Sequence, residues 1–287
     1  MAHPSEHTHN SLAEDLERLL ASATSRRQSL RWLFAGAAAI PLAGCGGSTA
    51  DAAVTTASSG STGSSGGTGS ATACSVIPEE TGGPYPGDGT NRNANGVANA
   101  LVLSGIVRSD IRASVAGATG VAEGIALTIR LQLVDVAANC APAAGAAVYL
   151  WHCTREGGYS MYSNGITGEN FLRGVQEADS QGVVTFQTIF PGCYDGRMPH
   201  VHFEVYPTLA KANNAANRIK TSQFAFPLAT LNEAYASSGY GASVANLART
   251  SFATDMVFSD GTALQMTSVS GNPAQGYVAT LTIGVSL

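Results

Sequence analysis

The sequence predicts an all-β protein, namely a β-sandwich of mostly antiparallel strands with long loops. Three observations lead to this prediction. Only 12% of the 287 residues are charged, while 33 are glycine. Short runs of Val, Ile, Thr and Leu recur between Gly, Pro and Asp turns. No long amphipathic helical pattern follows the first 45 residues, so packed sheets remain the favoured architecture.

Residues 1–45 read as an export signal. Arg26 and Arg27 precede an apolar run at 32–43 that is too short to span a bilayer. This order is typical of twin-arginine signal peptides, the alternative being a chance Arg-Arg pair. The sequence Leu-Ala-Gly-Cys at 42–45 resembles a bacterial lipobox, in which Cys45 would be lipidated. Ordinary signal cleavage nearby is the alternative.

An exported protein follows from this reading, periplasmic or at the cell surface and anchored to a membrane by lipid at Cys45. Residues 46–73 are almost entirely Gly, Ser, Thr and Ala, so they cannot bury a core and are predicted to be a flexible tether. Three histidines upstream of the signal would be removed and are not candidate ligands. The formal net charge of −5 gives no electrostatic reason to expect nucleic acid binding.

The folded domain is predicted to run from residue 74 to 287, a length that one core can fill. Polar Arg130 and Gln132 alternate with apolar neighbours, as in a sheet with one wet face. Short helical turns are predicted at 213–219 and 231–236. Seven runs are predicted strands: 101–107, 126–136, 146–151, 183–190, 201–205, 256–258 and 277–285.

Four cysteines lie in this domain: Cys74, Cys140, Cys153 and Cys193. Exported proteins keep disulfides, and four cysteines allow three connectivities. Cys140 and Cys153 flank one extended strand and are too far apart to pair. If the run 183–190 returns antiparallel to that strand, Cys193 approaches Cys140, which favours Cys140–Cys193 and Cys74–Cys153. Thiolate metal binding is disfavoured because there is no Cys-x-x-Cys spacing.

His200 and His202 open a predicted strand and therefore point to the same side, which suits one metal ion. Exposed polar residues on a sheet are the plain alternative. Tyr194 lies on the loop before that strand, and Tyr159 follows the run 146–151. Phenolate is a hard anionic oxygen donor suited to ferric iron, so these four residues are candidate ligands.

Four separated segments surround these candidates: Trp-His-Cys at 151–153, Pro-Gly-Cys-Tyr at 191–194, Arg-Met-Pro-His-Val-His-Phe at 197–203 and residues 78–85. Together they resemble the intradiol ring-cleavage dioxygenases, which include catechol 1,2-dioxygenase and protocatechuate 3,4-dioxygenase. Trp-His-Cys at 151–153, with Tyr159 eight residues after the tryptophan, is similar to the first tyrosine segment of the family. Pro-Gly-Cys-Tyr at 191–194 is similar to the second, and Arg-Met-Pro-His-Val-His-Phe at 197–203 to the arginine and histidine segment. Residues 78–85, with the sequence PEETGGPY, resemble the N-terminal motif of the family.

The resemblance implies a non-haem Fe(3+) cofactor held by Tyr159, Tyr194, His200 and His202. Tyr194 and His202 would be the axial pair, with Tyr194 released when substrate binds. Arg197 would stabilise charge developing on the substrate, and Gln223 resembles a supporting glutamine, although its spacing from His202 is longer than in better-known members. The implied substrates are a catechol and dioxygen, and the implied product is a cis,cis-muconate derivative. These assignments place the active site on the long loops.

The sequence also departs from the family, because an export signal and a tether stand where catechol dioxygenases carry a helical dimerisation segment. The oligomeric state and the catechol are therefore left open. A competing hypothesis is an exported β-sandwich binding or adhesion module with a non-catalytic metal site. A zinc or copper site at His200 and His202 is a third possibility. Tyr162 competes with Tyr159 for the ligand position, and the spacing from Trp151 favours Tyr159.

Overall fold

The structure, a computed structural model, describes residues 74–287. The predicted export signal at 1–45 and tether at 46–73 lie outside the described residues. Within 74–287, no helix combines the length and the apolar character needed to cross a membrane.

Strands dominate the described part of the chain. The two α-helices are short: α1 spans Leu228–Tyr235 and α2 spans Gly241–Leu247. The strands are β1 (Asp88–Asn93), β2 (Gly96–Asn99), β3 (Ala126–Asp135), β4 (Ala141–Pro142), β5 (Ala147–Trp151), β6 (Arg173–Glu177), β7 (Val183–Ile189), β8 (His200–Tyr206), β9 (Lys220–Ala225), β10 (Ser268–Asn272) and β11 (Gly276–Val285).

The strands form two main sheets and a small hairpin. One sheet has the order β10-β11-β3-β4, with β7 also paired to β3, and the other has the order β6-β5-β8-β9. Strands β1 and β2 form the hairpin. Only the β11–β3 pair is parallel among these named strands. The all-β prediction of mostly antiparallel strands is therefore confirmed.

The faces of β8 determine where the site lies. Val201, Phe203 and Val205 face the core between the two main sheets, together with alternate residues of β3 such as Ile129 and Leu131. Strand residues alternate between faces. His200 and His202 consequently point to the outer face of the four-stranded sheet. A second apolar cluster, built around Tyr149 and Trp151 of β5, covers that face.

Two predicted strands are wrong. Residues 101–107 form turns, because Gly105 adopts a φ of +84° and the amide of Ile106 donates to the carbonyl of Leu103. Residues 256–258 do not form a strand either, since the Asp255 carboxylate accepts from the amides of Val257 and Phe258 and starts a 3₁₀ turn at Phe258–Asp260.

The predicted disulfide pairing is also wrong. Cys74 bonds to Cys140, and Cys153 and Cys193 are buried free thiols. The prediction assumed that the run 183–190 pairs with β5, whereas β7 pairs with β3 in the other sheet. Cys193 is therefore not returned to Cys140, and the start of the domain reaches Cys140 instead.

Candidate metal and active site

Strand β8 places both candidate histidines. His202 lies opposite Trp151 of β5 and Gln223 of β9 in the antiparallel register. Residues opposite one another in adjacent strands share a face and lie in contact. The Trp151 ring stacks on the His202 imidazole with 4.9 Å between centroids and 5° between planes. This stacking fixes the orientation of the imidazole before any ligand binds.

The two tyrosines come from loops that follow β5 and β7. The amide of Tyr159 donates to the hydroxyl of Ser163, and its side chain is buried. The amide of Gly192 donates to the Thr154 carbonyl, which joins the two loops. A Cβ at position 192 would collide with the Arg155 carbonyl, so the close approach requires glycine there. Tyr194, two residues later, is thereby held beside Tyr159, with 6.0 Å between ring centroids.

Four polar atoms converge at one point. His200 Nε2 lies 3.0 Å from His202 Nε2, 3.2 Å from the Tyr194 hydroxyl and 3.5 Å from the Tyr159 hydroxyl. His200 Nδ1 lies 2.6 Å from the Met198 carbonyl, which can only accept, so Nδ1 carries the proton and Nε2 presents a lone pair. The structure thus brings together all four residues that the sequence identified as ligands.

Burial sets the protonation of these groups in the metal-free protein. It lowers the pKa of His200 and of His202 well below the usual value, and the Arg197 charge lowers both further. Burial also raises the pKa of Tyr194 to about 12, and burial likewise raises the pKa of Tyr159 well above its usual value. Both imidazoles are therefore neutral and both phenols protonated near neutral pH. Neutral imidazole is the form that binds metals.

The donor set fits a transition-metal ion. Metal–nitrogen bonds are about 2.0–2.1 Å for zinc, and two ligands at right angles on such an ion lie roughly 3 Å apart. The 3.0 Å between the two Nε2 atoms and the 3.2 Å from His200 Nε2 to the Tyr194 hydroxyl match that spacing. No group of three or more His, Cys, Asp or Glu side chains within 74–287 could hold a metal ion. At this point the side chains that accompany the two imidazoles are the phenols of Tyr194 and Tyr159.

Arg197 is held beside this cluster by two acceptors. Its Nε donates to Asp255 Oδ2 at 3.0 Å, and its Nη2 donates to Gln223 Oε1 at 2.7 Å. Gln223 in turn donates to the Thr81 carbonyl at 2.8 Å. The side chain of Arg197 is 6% exposed and that of Asp255 is 0% exposed. Gln223 thus contacts Arg197 directly and helps to hold the guanidinium beside the cluster.

The predicted N-terminal motif crosses the site. The amide of Glu80 donates to the Thr221 carbonyl of β9, which guides the chain towards His202. Gly83 adopts a φ of +68°, and a Cβ there would lie 3.3 Å from His202 Cε1. The Tyr85 ring lies 5.1 Å from that of Tyr159, centroid to centroid. Residues 78–85 therefore form one wall of the site.

Tyr162, the competitor of Tyr159 for the ligand position, and His152 of the 151–153 motif lie outside the cluster. The Tyr162 hydroxyl donates to Asn91 Oδ1 and accepts from the amide of Gly87. His152 Nε2 bonds to the Thr188 hydroxyl, and its Nδ1 to the Cys153 carbonyl.

The sequence analysis missed Asp255 and the Met198 carbonyl. No motif marks Asp255, and only a contact across 58 residues brings it to the site. Met198 lies within the 197–203 motif, but a residue pattern does not show that its backbone carbonyl faces His200 Nδ1 two residues later. Fold and site together define a β-sandwich protein with a mixed imidazole and phenol donor set on the outer face of one sheet.

Comparisons with known proteins agree with this description. A family model described as Dioxygenase matches residues 109–217, which include the two tyrosines and the two histidines. An intradiol ring-cleavage dioxygenase from Tetranychus urticae is 26% identical with a TM-score of 0.57, and the match covers 74% of this chain and 95% of that one. A second solved dioxygenase is also 26% identical, with a TM-score of 0.56 and the same coverage.

The dioxygenase domain of a carbohydrate-binding fusion protein from Streptomyces sp. SirexAA-E is 21% identical, with a TM-score of 0.46 over 74% of this chain and 99% of that one. No curated protein matches the sequence. The family model and the two more similar structures confirm the resemblance to the intradiol ring-cleavage dioxygenases.

Proposed function

We propose that this protein is a non-haem ferric iron dioxygenase that cleaves a catechol between its two hydroxylated carbons. The convergence of Tyr159, Tyr194, His200 and His202 is the observation that carries the proposal. The reaction inserts both atoms of one dioxygen molecule and yields a cis,cis-muconate derivative, so it needs no further reductant. When bound, ferric iron would accept the catecholate and withdraw electron density from its ring.

The protein residues supply proton transfer and charge stabilisation. In its phenolate form Tyr194 Oη would be strongly basic, since burial raises the pKa of Tyr194 to about 12 and so favours the neutral phenol. It can therefore accept a proton from one hydroxyl of the incoming catechol. His200 Nε2 presents a lone pair because its Nδ1–H is committed to the Met198 carbonyl. Residues 78–85 line one side of the site through Gly83 and Tyr85.

Arg197 contributes a fixed positive charge next to the donor cluster. Its charge acts on both tyrosines and opposes the effect of burial on their pKa values. A buried, oriented donor can stabilise negative charge that develops on the substrate, and removal of one such donor typically lowers kcat by about 10²–10³-fold. Arg197→Ala should therefore retain iron and colour and lose most turnover.

The test is oxygen uptake with a panel of catechols, with products identified by mass and absorbance. One dioxygen consumed per muconate formed is expected. A yellow semialdehyde would instead show cleavage next to the hydroxylated carbons. An iron-loaded protein that takes up no oxygen with any catechol would favour the competing binding module. Colour adds a quick check, since phenolate-to-iron charge transfer should make the loaded protein burgundy, whereas zinc would leave it colourless.

For localisation we propose a lipid-anchored, exported protein, on the basis of Arg26, Arg27 and Cys45 in the sequence. Replacing both arginines with lysine should leave the precursor in the cytoplasm, because twin-arginine recognition requires the pair. Cys45→Ser should release the domain from membranes. Fractionation followed by detergent partition measures both outcomes. Normal export of the double lysine variant, or unchanged detergent partition of Cys45→Ser, would contradict the assignment.

A further inference from the structure

Asp255 occupies an unusual position for a carboxylate. Its side chain is 0% exposed, and it lies on the segment between α2 and β10, far in sequence from the other site residues. Burial of a charged carboxylate is unfavourable unless hydrogen bonds and an opposite charge compensate for it. A buried carboxylate in a loop therefore needs a specific reason to be there.

The hydrogen bonds of Asp255 divide between its two oxygens. Oδ1 accepts from the amides of Val257 at 2.8 Å and Phe258 at 3.1 Å, within its own turn. Oδ2 accepts from the amide of Met198 at 2.6 Å and from Arg197 Nε at 3.0 Å. One oxygen thus shapes the 255–258 turn, and the other is committed to the loop that carries Arg197 and leads into His200.

The guanidinium of Arg197 is fixed at two points. Asp255 accepts from Nε on one side, and Gln223 accepts from Nη2 on the other. The guanidinium is planar and presents its donors in a rigid fork, so two acceptors determine its orientation. Gln223 is neutral, which leaves Asp255 as the acceptor that also balances the buried charge of Arg197.

We propose that Asp255 is a positioning residue for the ring-cleavage reaction and acts by holding the Arg197 guanidinium against the two-histidine, two-tyrosine cluster. This inference rests on the proposed function. The anchored Met198 amide belongs to the same residue whose carbonyl faces His200 Nδ1. One carboxylate oxygen thus orders the arginine and the backbone that orients the neighbouring imidazole.

Asp255→Asn is the direct test. An asparagine can still accept from the Val257 and Phe258 amides through its oxygen, but its NH₂ then faces two donors, Met198 N–H and Arg197 Nε–H. The guanidinium should lose its orientation, and misplacement of a catalytic group by about 1 Å can cost roughly 100-fold in rate. We expect kcat to fall about 100-fold, with KM changed less than about threefold and iron content retained. Asp260→Asn, an exposed aspartate five residues later, is the matched control and should leave kcat unchanged.

A double-mutant cycle separates positioning from a general structural role. If Asp255 acts through Arg197, Asp255→Asn should reduce kcat about 100-fold in the wild type and have no further effect in Arg197→Ala. A merely structural role would lower kcat by the same factor in both backgrounds. That second result would overturn the inference, as would an unchanged kcat in the single variant.

A measurement without turnover distinguishes this inference from the proposed reaction. In metal-free, full-length protein labelled with ¹⁵N, the Arg197 Nε–H should give a resolved and slowly exchanging signal, assigned by its absence in Arg197→Lys. The signal should lose protection in Asp255→Asn and keep it in Asp260→Asn. Rapid exchange in the wild type would overturn the inference even if Asp255→Asn does not fold. A protected signal in a protein that cleaves no catechol would leave the arginine anchor standing and reject the reaction.

Discussion

Two tyrosines three residues apart have different chemical partners. The Tyr159 hydroxyl faces His200 Nε2 at 3.5 Å, whereas the Tyr162 hydroxyl is satisfied by Asn91 and Gly87. We therefore predict that Tyr159→Phe loses iron and the burgundy band, because one oxygen ligand is gone. Tyr162→Phe should retain both and lose about 1 kcal/mol of stability through its hydrogen bonds. Metal analysis with absorbance spectra measures the outcome.

The pair is its own control, because each variant removes one phenol oxygen from the same loop. Bleaching in Tyr162→Phe with colour retained in Tyr159→Phe would show that the tyrosine ligand is Tyr162, three residues after the assigned position. His200→Ala provides the positive reference, since it removes an imidazole from the same cluster and should lose the metal.

Sequence reasoning succeeds for residues whose geometry follows from local periodicity. His200 and His202 share a face because a strand repeats every two residues, and this required no knowledge of the fold. Asp255 could not be found in this way. Its contact with Arg197 spans 58 residues of sequence and depends on how the segment after α2 returns to the sheet. The local sequence around it shows only a polar residue before an apolar run, which suggested a strand.

At the scale of elements, residues 78–85 are a wall whose close contact with β8 depends on glycine. Gly83 combines a φ of +68° with a Cβ position 3.3 Å from His202 Cε1. We predict that Gly83→Ala costs about 1–2 kcal/mol of stability from the left-handed backbone. It should also weaken iron binding, because the new methyl group displaces the His202 ring. Unfolding curves and iron content measured together test both effects.

Gly117 supplies the matched control for that substitution. It has a φ of +89°, and a Cβ there would meet no atom within 4 Å. Gly117→Ala should therefore show the same loss of stability with full iron content. Equal iron loss in both alanine variants would mean that backbone strain alone, and not contact with His202, is responsible.

The elements that were predicted well are those with long, regular alternation. Strand β3 alternates buried leucine and isoleucine with more exposed polar residues over ten positions, and it was found with nearly correct bounds. The hairpin β1–β2 was missed because its sequence, rich in Asn and Gly, carries little apolar alternation. The disulfide was mispredicted because its prediction depended on a strand pairing that the local sequence does not determine. Pairing partners in a sheet depend on topology, and Val183–Ile189 joins β3 rather than the neighbouring β5.

At the scale of the whole molecule, the sandwich core and the site are on opposite faces of one sheet. Val201, Phe203 and Val205 stabilise the sandwich, while His200 and His202 on the other face of β8 form the site. Substitutions at His200 or His202 therefore leave the packing between the sheets intact. This separation explains why ligand variants should remain folded and can be compared by metal content.

The buried titratable groups give a specific pH dependence for the metal-free protein. Burial lowers the pKa of His152 to about 4, and the pKa values of His200 and His202 also lie well below 6.5. Below pH 6.5 the unfolded chain binds protons that the folded protein does not. The free energy of unfolding therefore decreases as the pH is lowered, by about 1.4 kcal/mol per pH unit for each histidine.

Glu204 acts in the opposite direction. Burial raises its pKa to about 8, so between pH 4.5 and 8 the folded protein holds a proton that the unfolded chain has lost. Stability therefore falls as pH rises through this window, again by about 1.4 kcal/mol per pH unit. Below pH 6.5 the three histidines outweigh this one carboxyl group. Above pH 6.5, Glu204 is the one group among these three histidines and itself whose protonation still differs between the folded and the unfolded chain.

We therefore predict that metal-free protein is most stable near pH 6.5 and loses stability on both sides of it. Urea unfolding at pH 5, 6.5 and 8 measures the profile. Glu204→Gln should flatten the decline between pH 6.5 and 8, because a glutamine has no proton to retain, and it should leave the decline towards pH 5 in place. A free energy of unfolding that still rises from pH 6.5 to 8 in the wild type would mean that Glu204 is ionised in the fold, and that Tyr206, whose hydroxyl donates to it at 2.6 Å, stabilises a charged carboxylate there.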